Sequence, residues 1–250
     1  MKTAGVVIVT GGGRGIGAAT ARLAAERGYW VCVNYRSDAA SAAEVVAHAK
    51  KAGVKAIAVQ GDVAKEADVV RLFDAAAAGL GPVTALVNNA GILERQCRLD
   101  EMEAARFERI LATNVMGTLL CAREAVRRMS TRHGGRGGAI VNVSSMASRL
   151  GSPGEYVDYA ASKGAIDSLT IGLSKEVAEE GIRVNSVRPG VIHTEIHASG
   201  GEPGRVERVK GAVPMKRGGQ PEEVARAILW LLSPESSYST GTFIDVSGGR

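Results

Sequence analysis

At 250 residues, 45% hydrophobic and 4% aromatic, the chain is long enough to bury one full core, and its plentiful alanine and glycine suit close-packed helices on a sheet. The net charge of +5 comes from scattered basic residues hardly interleaved with aromatics, which sets nucleic acid aside as a partner. Cys32, Cys97 and Cys121 lack metal-ligand spacing and point to a reducing compartment, and the apolar run opening the chain is too short for a signal peptide or membrane span; a soluble cytoplasmic protein without metal or membrane is expected.

Gly5 to Val9 is a short β-branched run, followed at once by TGGGRGIG and then AATARLAAERG, which is helical in composition. Strand, glycine turn and helix in that order suit a phosphate-binding loop. Gly11, Gly15 and Gly17 let the backbone turn sharply and approach a pyrophosphate at the helix N-terminus. The spacing is G-x-x-x-G-x-G rather than the more familiar G-x-G-x-x-G. The next strand, Tyr29 to Asn34, ends where an acid would hold the ribose hydroxyls of NAD. Asn34 and Arg36 stand there instead, with Arg14 in the glycine loop as a second cation. Two guanidinium forks favour a 2′-phosphate, hence NADP(H), with NAD(H) left open. Asp38 reads as the cap of the following helix.

The alternation then repeats: helix Ala40 to Ala52, strand Ala56 to Gln60, helix Glu66 to Ala77, strand Thr84 to Val87. This is the pattern of right-handed βαβ units and a parallel sheet. Asp62 is positioned to reach an adenine amine, and NNAG, residues 88 to 91, falls at a strand end where open α/β sheets bind ligands. One long helix is expected from Asp100 to Met129. Asn114 lies in its interior, where asparagine is unfavourable, and either kinks the helix, holds a water or is simply tolerated. A fifth strand, Ala139 to Val143, delivers Ser144 and Ser145 to the same edge.

Ser152, Pro153 and Glu155 have the look of a capped helix start. The helix that follows sets Tyr159 and Lys163 a turn apart on one face, where an ammonium is expected to lower the acidity constant of the phenol toward working pH. The same helix carries an apolar stripe at Ile166, Leu169, Leu173 and Val177. Ala161, Gly164, Ala165, Ser168 and Gly172 form a small-residue surface suited to a second helix or a neighbouring subunit. Strand Ile182 to Val187 runs into RPGVIHTE. Residues 193 to 219, polar and broken by Pro203 and Pro214, have the composition of a mobile substrate lid. Its Arg205, Arg208, Lys210, Lys216 and Arg217 read as a solvated face or as an attraction for an acidic carrier protein. His193 and His197 have no ligand set around them. A last helix, Pro221 to Leu232, and a strand, Thr242 to Val246, complete the alternation.

Taken in order, TGGGRGIG, NNAG, Asn114, the Ser144–Ser145 pair, Tyr159-x-x-x-Lys163 and PGVIHT resemble the classical short-chain dehydrogenase/reductases over the whole chain. The resemblance implies a single Rossmann-like, doubly wound α/β domain with a seven-stranded parallel sheet and helices on both faces. It also implies a nicotinamide dinucleotide and a homotetramer whose dimer contact uses the two long helices. Residue by residue, it implies Tyr159 as acid–base and Lys163 as the group that lowers the phenol pKa and binds the nicotinamide ribose. Ser145 would hydrogen-bond the reacting oxygen, with Ser144 as the alternative, and Asn114 would hold a proton-relay water. Gly11, Gly15, Ile16, Gly17, Asp62, Val63, Asn89, Ala90 and Gly91 match cofactor positions. So does the loop from Pro189 and Gly190 through Ile192 to Thr194, which would close over nicotinamide. The expected activity is reversible hydride transfer with a carbonyl or secondary alcohol, as a β-ketoacyl-carrier reductase or general carbonyl reductase. A glucose-type dehydrogenase and a non-catalytic NADP sensor are the alternatives.

Overall fold

The structure, a computed structural model, describes residues 4–250; Met1, Lys2 and Thr3, which open the N-terminal run read above, lie outside the described residues. In β1 (Gly5–Val9), all of Val6 to Val9 is buried, and alternate side chains enter different layers. Val7 and Val9 join one apolar cluster, Val6 and Ile8 the other, as a strand covered on both faces requires. The others are β2 (Tyr29–Tyr35), β3 (Ala56–Gln60), β4 (Ala85–Asn88), β5 (Gly138–Val143), β6 (Ile182–Pro189) and β7 (Phe243–Val246). They form one seven-stranded sheet in the order β3-β2-β1-β4-β5-β6-β7. Every pairing is parallel, with Val9 beside Val33 on one side and Val87 on the other. The doubly wound α/β sheet expected from the motifs is present.

The α-helices are α1 (Gly15–Glu26), α2 (Ala39–Lys51), α3 (Glu66–Leu80), α4 (Ala104–Leu111), α5 (Gly117–Met129), α6 (Ala147–Leu150), α7 (Val157–Glu176), α8 (Ile196–Ser199), α9 (Arg205–Val209) and α10 (Pro221–Leu232). One face of the sheet is covered by α1, α2 and α10 through Ala21, Ala24, Val45, Ile228 and Leu229. Alanines on α1 let α10 pack close against it. The other face takes Leu72 and Phe73 of α3 and Leu120 and Met129 of α5. Each large aliphatic or aromatic side chain fully buried this way contributes roughly 1.5–3 kcal/mol.

Two expectations are corrected. The single helix over Asp100–Met129 is four segments: a 3-10 turn at Leu99–Glu101, then α4, then a π-helical turn at Ala112–Met116, then α5. Asn114 sits in the π turn, 1% exposed, its side chain bonded to Ile92 and Ser162. The wider turn accommodates a polar side chain tethered inward to neighbouring elements.

The helix start expected at Ser152 lies further on, for α7 begins at Val157 and has no side-chain cap. Ser152 has a left-handed backbone, φ +47°, in the preceding turn. Glu155 closes no capping box because its carboxylate is drawn to Arg205 at 2.5 Å and Arg208 at 2.9 Å. Two charge-assisted bonds outweigh one local cap.

Candidate active site

The glycine loop crosses from β1 to α1 at the switch point of the sheet, where β1 lies between β2 and β4. Gly11 and Gly15 are left-handed, φ +60° and +50°, and a Cβ on Gly17 would meet the Gly11 carbonyl oxygen at 2.4 Å. Those three demands produce the observed spacing. Thr10, to which the sequence reading gave no role, ties the loop to NNAG: its Oγ1 accepts from the N–H groups of Asn89 and Ala90, both at 3.0 Å. Its place just ahead of the glycines is the only sequence signal for it. Asn89 returns the contact, donating from Nδ2 to the carbonyls of Thr10 and Gly11 at 2.9 and 3.1 Å.

The N-terminus of α1 suits a phosphate. Arg14 at the N-cap is extended, no side chain caps the helix, and its first turn holds no acid. By contrast, α2 is capped by Asp38, which accepts from Ser41 N–H at 3.0 Å, as its sequence position suggested. Exposed Arg14 and Arg36 both line the cleft beside this loop. Asn34 needs correction as a cofactor ligand, because its amide is spent on the backbone. Oδ1 accepts from Gly11 N–H at 3.3 Å, and Nδ2 donates to the carbonyls of Val59 and Gly61 at 3.4 and 3.0 Å. Asp62 lines the cleft with Oδ1 accepting from Ala64 N–H.

At the carboxyl end of β5, Ser145 stands beside the phenol of Tyr159, and its Oγ accepts from Ala147 N–H at 3.1 Å. Ser144 points elsewhere, donating to the Lys163 carbonyl at 3.2 Å. Lys163 Nζ donates to the Val143 carbonyl at 2.8 Å and lies 5.5 Å from the centre of the Tyr159 ring. The expected lowering of the phenol pKa is overturned in this state. Burial pushes Tyr159 up to about 12, against the opposing pull of the Ser145 hydroxyl and the Arg205 charge. Burial likewise brings Lys163 down to about 8, opposed by Asp167. Desolvation outweighs the ammonium, which is bonded to a carbonyl rather than to the phenol.

Asn114 stands behind this edge. Both amide hydrogens are used, on the Ile92 carbonyl and Ser162 Oγ, each at 3.1 Å, so its side chain braces protein groups and has no N–H left for a water. Ser162 Oγ in turn donates to the Tyr159 carbonyl at 2.7 Å.

A third wall comes from residues 193–213, which carry α8 and α9. The basic side chains here are mostly spent within the chain, which corrects their reading as an open positive face. Arg205 pairs with Glu155 and Glu202, and Arg208 pairs with the same two carboxylates. Lys210 pairs with Glu207, Arg217 with Glu223, and Lys216 bonds the Gly211 carbonyl. Tyr156 and His197, neither of them nominated from sequence, are buried in this wall, and the Arg205 guanidinium stacks 4.8 Å from the Tyr156 ring centre. A helix-spaced pair, His193 and His197, was the only sequence signal for the histidine.

All three walls enclose one cleft of about 1080 Å³. Every site residue nominated from sequence lines it except Gly17 and Asn114, which stand behind its surface. The family model described as enoyl-(acyl carrier protein) reductase matches residues 11–250. YgfF, an uncharacterized oxidoreductase of Escherichia coli strain K12, is 62% identical over 245 residues, 98% of this chain and 99% of its own length. A short-chain type dehydrogenase/reductase from Mycobacterium marinum superimposes with a TM-score of 0.92 at 34% identity, covering 99% of this chain and 95% of that one. A 3-ketoacyl-(acyl-carrier-protein) reductase from Brucella melitensis complexed with NADH gives 0.91 at 32% identity, covering 99% and 98%. The chain therefore belongs to the short-chain dehydrogenase/reductase family, whose members are oxidoreductases that bind a nicotinamide cofactor.

Proposed function

We propose that the protein is an NADP(H)-dependent reductase of small-molecule ketones and aldehydes, reversible toward secondary alcohols, with Tyr159 as its acid–base group. The observation that carries this reading is the gathering of Ser145, Tyr159 and Lys163 at one cleft edge, with the buried Lys163 ammonium beside the phenol ring. A non-catalytic sensor would have no need of that constellation.

When bound, the nicotinamide supplies or takes up the hydride. Tyr159, kept protonated by burial, gives its proton to the substrate oxygen as negative charge develops there, and Ser145 donates a hydrogen bond to the same oxygen. Lys163 holds the nicotinamide ribose. The backbone around Gly11, Gly15, Ile16 and Gly17 receives the pyrophosphate. Arg14 and Arg36 clamp the 2′-phosphate, the source of the NADP(H) preference. Asp62, Val63, Ala90 and Gly91 flank the adenosine, and Pro189 to Thr194 lies over the nicotinamide, with residues 193–219 as a substrate lid. Asn114 acts by fixing the position of Ile92 and, through Ser162, of Tyr159.

A small-molecule substrate is favoured over a carrier-bound thioester because the lid cations that would attract an acidic carrier are already paired internally. The chain is further proposed to work as a cytoplasmic homotetramer. In support of the oligomer, no atom of the described residues beyond the neighbouring turns of the same helix lies within 4 Å of where a Cβ would stand on Gly164 or Gly172, and Ile171 between them is exposed.

Turnover of a ketone panel with NADPH, by wild type and Tyr159→Phe, tests the central assignment. The variant is expected to lose roughly 10²–10⁴-fold in rate while binding NADPH normally. Retained turnover, or loss of NADPH binding along with activity, would overturn Tyr159 as the acid–base group.

A further inference from the structure

His197 lines the same cleft as Tyr159 and Ser145, and no step above uses it. It stands at the lid's first helix, α8, and is 9% exposed. Its ring is fixed from one side: Nε2 lies 2.9 Å from the Ile192 carbonyl oxygen. A carbonyl only accepts, so Nε2 carries the hydrogen. Burial, helped by the charges of Arg205 and His193, holds the imidazole below its usual range, against the Ile192 bond and Glu202. The ring is thus neutral at pH 7, and Nδ1 presents a lone pair.

That lone pair has no hydrogen-bond partner among the described residues. Among the described residues six buried side-chain polar atoms are in this position, and two belong to the cleft wall: His197 Nδ1 and the Tyr156 hydroxyl. The Gln96 amide beside Tyr156 donates to Glu202. Buried polar groups are normally paired, and orphans gathered in a binding cleft await a ligand. The donor that His197 calls for can be narrowed. Arg205 lies close enough to repel a cation, which disfavours an ammonium, and no cluster of three metal-ligating side chains occurs among the described residues. Neutral donors remain, O–H or N–H, and of these the alcohol and carbonyl chemistry proposed above favours a hydroxyl.

We propose that His197 Nδ1 accepts a hydrogen bond from a second hydroxyl of the substrate, so that hydroxy-ketones and diols are preferred over plain ketones and mono-alcohols. This specificity role rests on the carbonyl-reductase reading above. Tyr156 stands in the same wall with its hydroxyl beside the Gln96 side chain.

The test compares kcat/KM with NADP for cyclohexanol and the cyclohexane-1,2-, 1,3- and 1,4-diols, in wild type, His197→Phe and His197→Asn. At least one diol should exceed cyclohexanol by about tenfold in wild type, the scale of one added hydrogen bond. His197→Phe should collapse that ratio, and His197→Asn, whose amide reaches the Nδ1 position, should restore part of it. A ratio that survives His197→Phe, or a wild type indifferent to the second hydroxyl, overturns the proposal. Because the phenylalanine variant loses the Ile192 bond and could misfold, the nitrogen-15 signal of Nδ1 is also followed in wild type as the preferred diol or cyclohexanol is added. With turnover absent throughout, the diols are titrated in turn. A shift with diol alone supports the acceptor role even where turnover is absent, in which case only the proposed activity falls. Normal turnover with an unmoved signal removes the His197 inference alone, and absence of both removes both.

Discussion

Asn114 grips the backbone of Ile92 with both ends of its amide, accepting from the N–H at 2.8 Å and donating to the carbonyl at 3.1 Å. The same Nδ2 donates to Ser162, whose hydroxyl reaches the Tyr159 carbonyl. A side chain in a π turn thereby links the loop after β4, at the cofactor end of the cleft, to the helix that carries the phenol. The widened turn and the two-ended grip belong together, since an ordinary helical turn would leave this amide along the helix surface.

Asn114→Ala is expected to cost about 2–4 kcal/mol in unfolding free energy, because it strands two backbone groups of Ile92 and removes the Ser162 contact. Urea unfolding measures this directly. Asn114→Asp keeps the acceptor but loses both donors, and should be less stable than wild type as well. A loss under 0.5 kcal/mol for the alanine variant, the range of ordinary surface changes, would show that the grip carries no weight.

The Tyr159 phenol, pushed up to about 12 by burial, gives the two reaction directions different pH dependence. Reduction uses the protonated phenol and should keep that form available throughout the neutral range. Oxidation needs the phenolate, so its kcat/KM should climb with pH from 7 to 10. The Ser145 hydroxyl beside it pulls the phenol pKa down, so Ser145→Ala should move the rising limb to higher pH besides slowing turnover. A Ser145→Ala profile that lies at the same or lower pH would contradict this role.

Much of this was readable in the sequence because it depends on local pattern. β-Branched runs between glycine turns and helical segments set the strands, and left-handed positions at Gly11 and Gly15 dictated glycine. Where the reading failed, a distant partner decided. Glu155 looked like a cap residue until Arg205, fifty residues on, took its carboxylate. Asn34, standing where an acid would hold ribose, looked like a cofactor ligand until the backbone of Gly11, Val59 and Gly61 took its amide. The Tyr159–Lys163 spacing was informative about proximity but silent about desolvation, which reverses the direction of the phenol shift. The i, i+4 spacing from His193 was the only sequence mark on His197, and it said nothing of a role, because that lies in the cleft wall the residue joins.

Arg36→Ser is expected to lower the preference for NADPH over NADH by about 10–100-fold, the scale of losing a charge-assisted bond to phosphate. The wild-type KM for NADPH should also rise with salt more steeply than that for NADH, since exposed Arg14 and Arg36 are screened within a Debye length. Fluorescence titration with each cofactor, at two salt concentrations, measures both effects. A wild type that binds the two equally sinks the clamp while leaving Tyr159 and Ser145 untouched.

Lys163 makes a prediction about stability rather than rate. Burial lowers its pKa from 10.5 to about 8 in the folded chain, while an unfolded lysine keeps the ordinary value. Between those two values the unfolded chain binds more protons than the folded one, so the lysine's contribution to stability rises with pH. Below about 8 the full cost of desolvating the ammonium is present, and above 10.5 it has gone. Lys163→Met has no such group, and shares every other titration with the wild type. The wild type should therefore gain stability relative to Lys163→Met as pH rises from 7 to 10, read as the difference between their urea midpoints. Equal differences at both pH values would mean that the Lys163 ammonium remains solvated, and the tight bond to the Val143 carbonyl would lose its place in the account of the site.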